Sequence, residues 1–168
     1  WRGGRTEAPP RFPGRRGGVF GLDTILQFYK YKHRGKERRL IKALKEALDL
    51  HYTPYCFKGA TNLLEKFKDC TIVSNTVTCP GFYASQGRKL RIPVRYEGII
   101  DNLQYFHEED VWVANLEMEA AGYYAFAKLL GHEVISLNAI FTNRVRGTFT
   151  KDPNGIIDGL IKKVLERI

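Results

Sequence analysis

Two periodicities take turns along this chain from Leu22 to Leu165. Leu22, Ile25, Leu26 and Tyr29, and then Leu40, Ile41, Leu44, Ala47 and Leu48, recur at helical spacing, the second set among lysines and glutamates as in an exposed amphipathic helix. Thr61 is placed to cap a short helix through Leu64 and Phe67, and Thr71 to Thr78 alternates β-branched and polar residues as a strand does. Ile99, Ile100, Leu103 and Phe106 form another helical stripe. Val111 to Leu116 and Val134 to Thr142 read as buried strands, separated by a helix from about Met118 to Leu130 that Gly131 closes. Asp152 and Pro153, a cap followed by a first-turn proline, open a final helix carrying Ile156, Ile157, Leu160, Ile161, Val164 and Leu165. Short strands alternating with helices predict an α/β domain.

With 168 residues, 43% of them apolar, the chain has material for one core, and no apolar run is long enough to span a membrane. Its 27 Lys and Arg outweigh 18 Asp and Glu, a net charge of +9 that draws attention to phosphate-bearing partners. The surplus is uneven. Residues 1–20 hold Arg2, Arg5, Arg11, Arg15 and Arg16 against Glu7 alone, with many Gly and Pro and few aliphatics, so this stretch is expected to be a loose, disordered arm ahead of a domain over residues 21–168. The arm lacks the apolar core of a signal peptide, Cys56, Cys70 and Cys79 follow no CxxC spacing, and the four histidines complete no metal-ligand pattern. A reduced, cytoplasmic protein without structural metal is the resulting expectation. The basic residues Lys36, Arg38, Arg39, Lys42 and Lys45 read as the solvated face of their helix.

In open α/β sheets, ligands gather beyond the carboxyl ends of the strands, and three clusters fall there. Phe82, Gln86 and Arg88 follow the first of these strands: an in-plane donor and acceptor, a fork of donors and an aromatic suit a flat heterocycle with carbonyl and N–H groups, or are ordinary loop and core residues. Glu117, Met118 and Glu119 stand where a strand becomes a helix, so the two carboxylates either accept bonds from ligand hydroxyls or complement the helix dipole. Thr142, Asn143 and Arg144 follow the next strand, and the arginine can meet an anion or close a salt bridge.

The order GFYASQGR, NLEMEAAGYYAFAKLLGH and SLNAIFTNRVRGTF, followed by DP and a terminal amphipathic helix, resembles the C-terminal portion of uridine phosphorylases in the nucleoside phosphorylase family. The resemblance implies a three-layer α/β/α nucleoside phosphorylase-like fold with a mixed sheet. It also implies phosphorolysis of uridine to uracil and ribose 1-phosphate, with phosphate as co-substrate and no cofactor. Gln86 and Arg88 match the pair that reads uracil, with Phe82 on the base; Glu119 matches the carboxylate on the ribose 2′-hydroxyl, with Met118 beside the sugar and Glu117 in the same motif. Phe141 and Thr142 fall on the base-pocket lining and Arg144 on the arginine after it, while Arg88 and Glu119 are the implied catalytic pair. Thr142, Asn143 and Arg144 stand where purine-cleaving relatives carry an acid, which favours a pyrimidine. The implied partners are uridine or a related pyrimidine nucleoside and phosphate, with a homo-oligomer if the chain is complete, no membrane, and nucleic acid not expected.

The family holds phosphate largely with N-terminal glycine and arginine loops, and the residues before Gly21 do not resemble that portion. The N-terminal part of the fold is therefore expected to be missing, leaving strand edges open, and the polypeptide to be marginal or aggregation-prone alone. The competing expectation is an inactive scaffold that binds nucleic acid through its basic arm, which the modest +5 of the remaining residues helps little.

Overall fold

The computed structural model describes residues 17–168, so of the loose arm expected over residues 1–20, residues 1–16 lie outside them. The elements are β1 (Gly18–Gly21), a 3₁₀ turn (Ile25–Phe28), α1 (Gly35–Ala47), β2 (Tyr55–Lys58), α2 (Thr61–Phe67), β3 (Asn75–Thr78), a second 3₁₀ turn (Ala84–Gln86), α3 (Ile99–Tyr105), β4 (His107–Glu108), β5 (Val111–Glu117), α4 (Ala120–Leu130), β6 (Thr142–Asn143), β7 (Thr148–Phe149) and α5 (Pro153–Leu165). Five strands form one mixed sheet in the order β2-β1-β3-β5-β4. β1, β3 and β5 run parallel, and β2 and β4 flank them antiparallel.

Alternation along the strands builds the layers, because successive side chains of a strand point to opposite faces. Phe20, Leu22, Cys56, Val77 and Cys79 join Ile41 and Leu44 of α1, Leu48 just after it, and Ile99 and Leu103 of α3 in one core. Val19, Tyr55 and Phe57 face the other way, onto Ala120, Ala121, Tyr124 and Ala125 of α4. Helices thus cover both faces of a mixed sheet, the three-layer α/β arrangement expected from the sequence. Gly21 is required by this packing: a Cβ there would lie 2.2 Å from Cζ of Tyr55.

Several expectations change. The domain boundary set at Gly21 moves forward, because Gly18, Val19 and Phe20 are buried in β1, a strand with neighbours on both sides. Val134 to Thr142 does not form a buried strand. Its backbone instead meets the helical layer, with Val134 accepting from Ala60 N at 2.9 Å and Ser136 N donating to the Tyr124 hydroxyl at 2.8 Å. Its β-rich composition has no strand partner among the described residues before the short pairing of β6 with β7. The strand expected over Thr71 to Thr78 shrinks to β3, α4 begins at Ala120 rather than Met118, and Leu22 to Tyr29 yields only the 3₁₀ turn. Thr61 is the first residue of α2, not its cap; its hydroxyl accepts from Lys58 Nζ at 2.8 Å.

Candidate active site

The parallel strands deliver their carboxyl ends side by side. In register, Thr78 of β3 lies opposite Glu117 of β5, and Cys79 N donates to the Glu117 carbonyl at 2.8 Å. Each strand then feeds a loop or helix that carries part of the site.

After β3 the chain turns through Gly81 and the 3₁₀ turn to Gly87, whose φ of +69° is left-handed. A Cβ on Gly87 would sit 2.9 Å from Ile99 Cγ2 of α3, so the position excludes other residues on both counts. This turn brings three side chains together. Gln86 is buried, and its side-chain oxygen accepts from Arg88 Nη1 at 2.7 Å. The Arg88 guanidinium lies over the Phe82 ring, 3.7 Å from its centroid, and also bonds the Phe82 carbonyl. Because arginine only donates, the Gln86 amide must turn its oxygen to Arg88, which leaves the NH₂ as its free end.

Arg144, the residue after β6, reaches the same turn, donating from Nη2 to the Gln86 carbonyl at 3.0 Å. Its Nη1 is buried and has no hydrogen-bond partner among the described residues. Desolvation, and then the neighbouring charge of Arg144, pull the Arg88 pKa below the ordinary arginine range. This corner of the site is therefore rich in donors and positive charge.

Between β5 and α4 the two carboxylates separate. Glu117 accepts from the Thr78 hydroxyl, from Glu119 N at 2.7 Å and from Ala120 N at 2.6 Å, and Ala121 N donates to the Thr78 oxygen at 2.8 Å. Glu117 thus satisfies orphan donors at the N-terminus of α4 and ties that helix to β3. The dipole-complementing reading holds for it. Glu119 occupies the cap position without a side-chain cap bond, and its exposed carboxylate has no partner among the described residues.

One cavity of about 710 Å³ is lined by Phe82, Gln86, Arg88, Glu117, Met118, Glu119, Phe141, Thr142 and Arg144, all nine of the residues singled out from the sequence. Ile100, Leu103 and Gln104 of α3 and Trp112 of β5 also line it and were missed, because the α3 residues read as an ordinary helical stripe and Trp112 as strand core. Thr78 was missed as well, since nothing in a strand-ending threonine announces the bond to Glu117. The cavity offers a cationic donor cluster backed by an aromatic ring and a free carboxylate, a set able to hold a flat acceptor-bearing ring and a hydroxylated group together. Among the described residues no cluster of His, Cys, Asp and Glu has a metal-holding arrangement.

No protein-family model matches the chain, and no curated protein matches it. Among solved structures, a Trypanosoma brucei nucleoside phosphorylase described as showing uridine phosphorylase activity superposes with a TM-score of 0.74 at 18% identity, covering 90% of this chain and 55% of that one. A match to work on two uridine phosphorylases of the oomycete Phytophthora capsici has a TM-score of 0.47 at 18% identity, covering 92% and 56%. The chain spans about half the length of the structures it matches. Its mixed sheet with helices on both faces is the α/β fold seen in the Trypanosoma brucei nucleoside phosphorylase.

Proposed function

We propose that this chain carries the nucleoside side of a uridine phosphorylase-like site. The observation that carries the reading is the convergence of Gln86, Arg88 and Phe82 with the free carboxylate of Glu119 on one cavity. The likeness of fold to a nucleoside phosphorylase supports it.

In the proposed reaction a phosphate oxygen bonds to C1′ of the ribose while the C1′–N1 bond breaks, its electron pair leaving on the base. The sugar passes through an oxocarbenium-like state. Negative charge grows on the departing uracil, where charge-assisted bonds from Arg88 strengthen as it develops. Gln86 and Arg88 read the polar edge of the ring, Phe82 covers its face, and Phe141, Thr142 and Arg144 close the base pocket. Glu119 holds the ribose 2′-hydroxyl beside Met118, and Glu117 fixes the helix start that presents Glu119. Phosphate acts as co-substrate and nucleophile, and the reaction calls for no cofactor.

The purified chain is tested by calorimetry with uracil, uridine and hypoxanthine, and by chromatography of uridine incubated with and without phosphate. Uracil and uridine are expected to bind at least about a hundredfold more tightly than hypoxanthine, since a site built on hydrogen bonds penalises a ligand that leaves them unmade. Phosphate-dependent release of uracil with ribose 1-phosphate would complete the assignment. Equal binding of hypoxanthine would overturn the pyrimidine reading.

A further inference from the structure

Away from the cavity, residues 28–34 read Phe-Tyr-Lys-Tyr-Lys-His-Arg, and the structure gives this run a consistent sidedness. Tyr29 and Arg34, near its two ends, both have extended backbone, and no helix is assigned between Lys30 and Arg34. Tyr31 and His33 turn inward onto Phe57 of β2, with ring centroids 5.2 and 5.1 Å from it and 5.0 Å from each other. With the alternate residues pinned there, Lys30, Lys32 and Arg34 are all exposed. Tyr31 N donates to the Tyr29 carbonyl at 3.0 Å, a tight turn centred on Lys30. The three cations therefore form a short exposed row that bends at its first member.

Three further features bear on what the row meets. It borders a groove of about 890 Å³ that Lys128 of α4 also lines. Lys30, Lys32, Arg34 and Lys128 make no ion pair among the described residues, whereas the groove's acid, Glu37, is engaged by His33 at 3.0 Å and its cation Lys36 by Glu109 at 2.7 Å. At one end of the row Phe28 is 83% exposed, and the half-exposed Tyr29 is held edge-on by Phe126 at 5.4 Å. A cationic groove that tracks a backbone, with accessible rings for stacking, is the combination that binds single strands without sequence preference.

We propose that the groove beside Lys30, Lys32 and Arg34 binds an extended single strand of nucleic acid, with phosphates on the cation row and bases on Phe28 and Tyr29. The site is separate from the cavity at the strand carboxyl ends and uses none of its residues. It also differs from the sequence-based expectation of binding through the arm, because the row lies on the folded body.

The test is fluorescence anisotropy of a labelled oligothymidylate with the full chain across a salt series, in saturating uracil so that the pyrimidine pocket does not contribute. The variant K30A/K32A/R34A is expected to lose at least tenfold in affinity, and its slope of log affinity against log salt to fall by about 2, at about 0.7 per lost phosphate contact on a single strand. F28A/Y29A is expected to lose affinity at unchanged slope. A full-length variant with Arg2, Arg5, Arg11, Arg15 and Arg16 changed to Ala is expected to keep the difference that the row makes. Uracil binding and the thermal transition, unchanged in K30A/K32A/R34A, show that the variant is folded; if it unfolds, K32A alone, with its expected slope change of about 0.7, takes its place. The proposal is overturned if the row variant binds as the parent does, if polyglutamate of equal length competes as well as the oligonucleotide, or if anionic lipid vesicles are bound in preference to it.

Discussion

The Arg88 guanidinium lies over Phe82, its Cζ 3.7 Å from the ring centroid, while the same side chain holds the Gln86 oxygen at 2.7 Å. One residue thus orients both the ring and the amide that line the cavity. Arg88→Ala is expected to weaken uracil and uridine alike by at least tenfold, about 1.4 kcal/mol. Arg88→Lys restores charge without the planar fork and is expected to recover little of that loss. Calorimetric titration measures both, and parent-like uridine affinity in Arg88→Ala would remove this corner from the site.

Glu117 and Glu119 stand two residues apart yet are expected to fail in different ways. Removing Glu117 strands the buried Thr78 hydroxyl and two backbone donors, so Glu117→Ala should cost about 2 kcal/mol. In a chain of this size that lowers Tm by about 4–8 °C. Glu119→Ala, which breaks no bond among the described residues, should stay within about 0.5 kcal/mol of the parent. It should weaken uridine by roughly tenfold, one hydroxyl contact's worth, while leaving free uracil unaffected. Melting curves and parallel titrations of the two variants separate the roles, and a large stability loss in Glu119→Ala would contradict the division.

These two pairs also mark what the sequence could convey. Two of the three cavity-lining clusters were legible because they stand at the carboxyl ends of β3 and β5, where parallel α/β topology collects its loops, whereas Phe141, Thr142 and Arg144 were reached through a strand that does not form. The roles of Glu117 and Glu119 were not separable, because the choice depends on Thr78, 39 residues away and brought near only by the register of β3 on β5. Val134 to Thr142 misled for a related reason: its β-branched pattern records a preference for a pleated surface, while a strand also needs a neighbour to pair with. Gly18 to Phe20 was hidden by the glycines and arginines beside it, although Val19 and Phe20 supply one residue to each face of the sheet.

Alkaline pH is expected to unfold the protein through its buried weak acids. Burial, and then the nearby Glu117, push the Cys79 thiol up to about 12, and burial pushes Tyr52 up to about 12 as well. Both groups are neutral when protonated, so a raised folded pKa means that folding resists their ionisation. Their contribution is complete below the unfolded values of 9 and 10 and is lost as pH rises from there through about 12. Urea midpoints should therefore fall steadily across that window. Tyr52→Phe should flatten the part above 10, and an unchanged slope in that variant would assign the loss to other groups.

The final helix should be the least protected part of the fold. α5 starts well, with Asp152 accepting from Gly155 N at 2.9 Å ahead of Pro153, yet none of its residues is buried, and Ile161 and Leu165 remain 50% and 67% exposed. One tether near its end is the ion pair of Arg167 with the exposed Asp69, at 3.3 Å. With little apolar burial to hold it, α5 is expected to exchange its amide hydrogens well before α1 and α4, whose inner faces contribute to the two cores. Asp152→Ala should hasten that exchange by removing a cap bond worth about 1 kcal/mol. Ile161→Glu should leave Tm nearly unchanged, within about 0.5 kcal/mol, while reducing aggregation on heating by breaking the exposed apolar stripe. Mass-spectrometric exchange and light scattering during a thermal ramp read the two effects. Slow exchange in α5, or a marked loss of stability in Ile161→Glu, would mean that this face is already covered in solution.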